Sequence, residues 1–201
     1  MFGGSNRALV RAIASMVLLI QLSAGTGASP ACAAPRLADV RGHMALGYAH
    51  LFADQAPAGS LSAGAGFDVP IPGGLRAGLD VGYHLLGSRT LIQGSLSSGL
   101  DYSVFEALAL VHWSPTAAGP LLVLSAGPGL FSAHADLASS PIGATFSHQA
   151  IGQTRVGAAA AITIAGPRSG PVSVGIETAA RVVPLDASTW TIVTARLALR
   201  Y

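Results

Sequence analysis

The residues in this chain that could do chemistry are histidines beside serines, a carboxylate four places from an arginine, and scattered charges on otherwise small-residue segments. His112-Trp-Ser114 and Ser147-His148 place an imidazole next to a hydroxyl, the pairing in which His takes the Ser proton and makes the oxygen nucleophilic. That chemistry also needs an acid to orient the imidazole, and neither pair has one close in sequence. The six histidines show no zinc-ligand spacing, and no glycine loop lies between a strand and a helix to cradle phosphate. Gly64-Ala-Gly66 and Gly127-Pro-Gly129 read as strand glycines that relieve crowding. These observations point to no catalytic residue, no metal and no cofactor. Glu177 and Arg181 are more informative. In an extended chain they share a face, and Arg41, Arg76, Asp80, Arg196 and Arg200 occupy equivalent faces elsewhere. His43, Asp68, His84 and Arg155 fall on those faces too. Together they make a candidate charge network, in which Arg must meet carboxylate if the faces turn inward.

Such a network needs walls, and the alternation of the chain supplies them. Leu75, Ala77, Leu79, Val81, Tyr83 and Leu85 oppose Arg76, Gly78, Asp80, Gly82 and His84. Leu61, Ala63, Ala65, Phe67 and Val69 oppose Ser62, Gly64, Gly66 and Asp68. The same period of two runs through Val40–Phe52, Arg155–Ile164 and Val172–Val182, and through Trp190–Tyr201, where Val193, Leu197, Leu199 and Tyr201 share the apolar face. Leu121–Ala133 is apolar throughout. Asp101–Trp113 alternates poorly, and its facing stays open. Short Pro/Gly-rich connections (70–74, 114–120, 166–170) alternate with longer ones (53–59, 87–100, 134–152, 184–189). Eight strands in this arrangement predict an all-β, eight-stranded antiparallel up-and-down transmembrane barrel, with short turns on one side and longer loops on the other.

Composition agrees. Hydrophobic residues make up 51% of the 201-residue chain and charged residues only 10%, against roughly 25% charged in soluble domains. A surface bathed in lipid needs no charge. All eleven basic residues are Arg; Arg7 and Arg11 lie near the start, and the other nine balance nine acids, so no nucleic-acid partner is implied. The two early arginines, the apolar run Ile13–Leu22 and Ala31-Cys-Ala33 form the n-region, h-region and cleavage site of a signal peptide over residues 1–33, cleaved near Ala33. Residues 34–201 then form the barrel. Tyr48, Phe52, Tyr83, Tyr102, Phe131 and Trp190 are expected near the loop-side strand ends, with Phe67, Trp113 and Tyr201 near the turn side, as two interfacial girdles.

The last twelve residues resemble the C-terminal sorting strand of Gram-negative outer-membrane barrels, which ends on an aromatic. Gly157-Ala-Ala-Ala-Ala-Ile162 followed by Val174-Gly-Ile-Glu-Thr-Ala-Ala-Arg181 is similar to a strand–turn–strand unit of small OmpA/OmpX-type barrel domains. The resemblance implies a monomer in the bacterial outer membrane. It would be surrounded by lipid and delivered by periplasmic chaperones and the barrel-assembly machinery. The role it implies is structural, defensive or surface-exposed. The alternative is a narrow porin-like channel or a transporter of hydrophobic solutes. A lipid A-modifying enzyme is disfavoured, because the His-x-Ser-Asn pattern of the barrel deacylases is absent. In an eight-stranded barrel the interior is just wide enough for side chains, so the network is expected to plug the lumen rather than line a pore.

Overall fold

The computed structural model describes residues 40–53, 59–93, 96–115, 121–141, 147–167, 172–186 and 188–201. The signal-peptide assignment over residues 1–33 lies outside the described residues. Eight strands follow in order: β1 Arg41–Phe52, β2 Ser60–Ile71, β3 Leu75–Gln93, β4 Leu96–Trp113, β5 Leu121–Pro141, β6 Ser147–Ala165, β7 Ser173–Pro184 and β8 Thr189–Arg200. Each pairs antiparallel with its neighbour, and β8 closes on β1 through pairs such as Leu46 with Leu197 and His43 with Arg200. The architecture is the closed, all-antiparallel up-and-down barrel that the alternation predicts.

The exterior inverts that of a soluble protein. Ile176 and Val156 are 64% and 63% exposed, whereas Arg181 and Asp68 are each 1% exposed. In water this would leave the apolar face exposed; in lipid it sets the apolar face against hydrocarbon and keeps the charges away from it, where they must pair with one another. Phe67, Trp113 and Tyr201 stand outward on the turn side, and Tyr48, Phe52 and Tyr83 outward towards the loops, joined there by Phe105. Tyr102, Phe131 and Trp190 do not belong to the outer girdle. Phe131 is wholly buried in the lumen, and Tyr102 and Trp190 pack partly buried against the same inner cluster. Near a strand end, alternation alone does not separate a ring facing lipid from one capping the interior.

Two connections also differ from expectation. Residues expected as loops over 87–100 and 134–152 largely continue as strand, so β3 and β6 reach 19 residues where β1 and β7 have 12. At ~3.3 Å per residue and a tilt of ~40°, seven further residues raise these hairpins roughly 18 Å beyond the shorter strands. Outside lipid, neither face of a hairpin has to be apolar. The period-two signal therefore fades there while the backbone ladder persists. A register shift between Leu85 and Ser88, with Gly87 at φ 88°, marks where β3 leaves the regular wall. On the opposite rim, Gly73 and Gly74 hold φ of 84° and 74° in the β2–β3 turn, a region that L side chains rarely adopt.

Candidate functional site

Cross-strand rows bring the charges together in three tiers inside the barrel. Nearest the turns, Asp68 of β2 accepts from Arg76 Nε across the hairpin, and Arg200 Nη2 of β8 lies 3.5 Å from the same carboxylate. Just above, His43 of β1 and Asp80 of β3 meet at 3.0 Å. Both pair with Gly66, which stands between them on β2. A Cβ on Gly66 would collide with the Asp80 carboxyl, so the glycine is what lets Asp80 reach over to β1. His112 Nδ1 and Ser125 Oγ share a 2.7 Å hydrogen bond at this level.

The middle tier is the ion pair of Glu177 and Arg196, residues directly opposite in the β7–β8 ladder, where unlike charges attract most closely. Arg196 Nε donates to Glu177 Oε1 at 3.0 Å, and its Nη2 reaches the same oxygen.

The third tier crosses the lumen. Arg181 Nε of β7 donates to Glu106 Oε2 of β4 at 2.5 Å, and Arg181 Nη1 donates to Thr194 Oγ1 at 2.9 Å. Glu106 Oε1 lies 3.0 Å from His84 Nε2. His84 Nδ1 and Ser62 Oγ are 2.8 Å apart. Gly82 pairs with Glu106, and a Cβ on it would meet Oε1 at 2.6 Å. Above this tier Leu51, Leu86, Val104, Phe131, Val183 and Ile192 fill the lumen. Tyr102 and Trp190 close over them edge to face, with ring centroids 5.6 Å apart.

The closed barrel decides the partners within the candidate network. Arg181 binds Glu106 across the barrel rather than Glu177 on its own strand, Arg196 takes Glu177, and Arg200 turns to Asp68. Arg41 lies exposed at the turn-side mouth. Arg155, paired with Phe131 on the inner face of β6, sits partly exposed towards the loops, bound to Asp186 of the β7–β8 connection. That hydrogen bond and the Arg155 charge hold the Asp186 carboxyl below the usual aspartate range. Glu106 and the apolar plug are what sequence reasoning missed. β4 carries Val104, Leu108 and Leu110 on its inner face, so both faces are apolar and alternation is lost. The signal available was a single carboxylate inside the apolar run Val104-Phe-Glu-Ala-Leu108.

Ser62, His84 and Glu106 have the connectivity of a hydrolytic triad, but all three are buried beneath the plug, and Arg181 occupies the acid. His112 bonds Ser125 rather than Ser114, whose Oγ donates to the Leu122 carbonyl. The side chains of Ser147 and His148 lie outside the described residues. Among the described residues no group of His, Cys, Asp or Glu could hold a metal ion.

A closed barrel of eight strands with an apolar outer wall, aromatic rims and an ionic interior defines a transmembrane β-barrel. Its fold is that of the small bacterial outer-membrane barrels. It is similar to the crystal structure of Neisserial surface protein A, with a TM-score of 0.57 and 12% identity over 81% of this chain and 96% of that one. It is also similar to a major outer membrane protein from Thermus thermophilus, with a TM-score of 0.51 and 12% identity over 81% and 98% of the two chains. No protein-family model matches the sequence, and no curated protein matches it.

Proposed function

We propose that this chain is an integral outer-membrane protein whose lumen is sealed and whose role is structural or surface-exposed, neither porin nor enzyme. The observation that carries the reading is the content of the lumen. A wholly buried ion pair crosses it, apolar side chains pack above, and the cavity between His43, Asp80, Arg181 and Arg196 has about 20 Å³. That is room for about one water. An ion crossing here would have to lose its hydration among Leu51, Leu86 and Phe131, at a cost that nothing in the apolar tier offsets. The short turns then face the periplasm and the long hairpins the outside, which is the usual wiring of such barrels. Val193, Leu197, Leu199 and Tyr201 present an apolar edge on the last strand, suited to recognition by periplasmic chaperones and the assembly machinery.

Planar-bilayer recording tests the seal. The wild-type protein is expected to be electrically silent. Discrete conductance steps altered by Glu177→Gln or Arg181→Gln would instead support the channel alternative. Fractionation with outer membranes, together with heat-modifiable mobility on gels, tests the location. A protein recovered soluble from the periplasm would overturn it.

A further inference from the structure

Where the turn-side tier meets the middle tier, the lumen keeps its cavity of about 20 Å³. Small side chains on β6 and β7, Ala161 and Ala179, leave this space open beside His43, Asp80, His112 and Arg196. Each of those four carries a buried polar atom without a hydrogen-bond partner among the described residues: His43 Nδ1, Asp80 Oδ1, His112 Nε2 and Arg196 Nη1. Their other polar atoms are committed. His43 Nε2 meets Asp80 Oδ2 at 3.0 Å, His112 Nδ1 meets Ser125 Oγ at 2.7 Å, and Arg196 Nε donates to Glu177 Oε1 at 3.0 Å. Those contacts hold the rings and the guanidinium in place, so the remaining atoms are not free to turn towards other partners. His43, His112 and Arg196 are all more than nine-tenths buried, beyond the reach of bulk water. A buried donor or acceptor left unpaired forfeits its hydration with nothing in return.

We infer that this cavity binds one ordered water molecule, which bridges the His43–Asp80 pair to Arg196 and so joins the turn-side tier to the middle tier. Size sets the number: a buried water needs roughly 10–15 Å³ of such space and two to four polar partners, so there is room for one and not for two. Chemistry sets the identity. Arg196 Nη1 can only donate, and a carboxylate oxygen such as Asp80 Oδ1 can only accept. The occupant must therefore accept from one and donate to the other. An anion has nothing to give Asp80, and a metal cation has nothing to accept from Arg196; water does both. A neutral His43 that donates from Nε2 to Asp80 presents Nδ1 as a further acceptor for the second water proton. The ionic side chains around the space are already matched, Glu177 with Arg196, Arg181 with Glu106 and Arg200 with Asp68, which also suits an uncharged occupant. Confinement of the water rests on the reading of the lumen as sealed, which conductance recording tests separately.

The test is a crystal structure of the full chain, folded in detergent, at a resolution that shows ordered solvent. One water-sized density peak is expected in the cavity, about 2.7–3.2 Å from Arg196 Nη1 and from at least one of Asp80 Oδ1, His43 Nδ1 and His112 Nε2. A bromide soak is expected to give no anomalous peak there. In solution, the methyl protons of Leu108 and Leu110, which line the cavity, are expected to show cross-relaxation to water. Ala161→Val, whose added methyl groups take up the space, is expected to abolish that signal. Should Ala161→Val fail to show heat-modifiable mobility, the wild-type density and the bromide soak decide. A cavity without density, a bromide peak, side chains turned so that the four atoms pair among themselves, or a water signal unchanged by a folded Ala161→Val would each overturn the inference.

Discussion

Replacing Glu106 by Gln probes the tie across the lumen. The Arg181 and Glu106 side chains are 1% and 2% exposed, and the two residues lie 75 positions apart on opposite walls. Gln keeps the shape and one acceptor oxygen but removes the charge, leaving a guanidinium buried opposite a neutral amide. The nearest acid on its own strand, Glu177, is already committed to Arg196. Breaking a buried pair by removing one partner costs about 3–5 kcal/mol. The retained acceptor argues for the lower end, about 3 kcal/mol. Arg181→Met should cost a similar amount, because Glu106 is then buried beside a neutral thioether. The double variant removes both charges and should cost about 2–3 kcal/mol less than the sum of the singles. The assay is equilibrium urea unfolding from lipid vesicles, read by the fluorescence of Trp113 and Trp190, which report on opposite ends of the barrel. Single-variant losses below about 1 kcal/mol, or additive singles, would refute the claim that this pair is desolvated and directly coupled.

Three further predictions follow from the same geometry. Gly82→Ala should destabilise the barrel by about 1–3 kcal/mol in the same urea assay, because its methyl would sit 2.6 Å from the Glu106 oxygen; an unchanged midpoint would mean that the network yields freely. Ile176→Arg, on the lipid face, should cost about 2 kcal/mol in vesicles by analogy with arginines placed in barrel walls; a gain in stability would mean that this face meets water. The Asp186 carboxyl titrates below the ordinary aspartate range, so its tie to Arg155 is fully present above that range and is lost as pH falls through the lowered folded value. Carboxyl ¹³C titration should show this depression disappearing in Arg155→Gln, and an unchanged titration curve would contradict the pairing.

Most of the barrel was legible because lipid imposes a simple rule on a strand: one face apolar, the other small or polar. β1, β2, β3, β6, β7 and β8 obey it, and the inner and outer residues read from Leu75–Leu85 and Val174–Val182 lie on those faces in the structure. β4 breaks the rule because its inner face packs the plug with Val104, Leu108 and Leu110, so polarity no longer marks the side. The extended hairpins escaped notice for the opposite reason: beyond the bilayer no face is obliged to be apolar.

Local sequence therefore determined the facing of those six strands and the lipid-exposed wall they build, since side-chain alternation depends only on neighbours along the chain. Which charge meets which was decided by the closed tertiary structure. The Arg181–Glu106 contact depends on barrel closure, stagger and the width of the lumen, and those quantities are properties of all eight strands at once. The same holds for Phe131 and Trp190, whose place inside the barrel is set by the space left between facing walls.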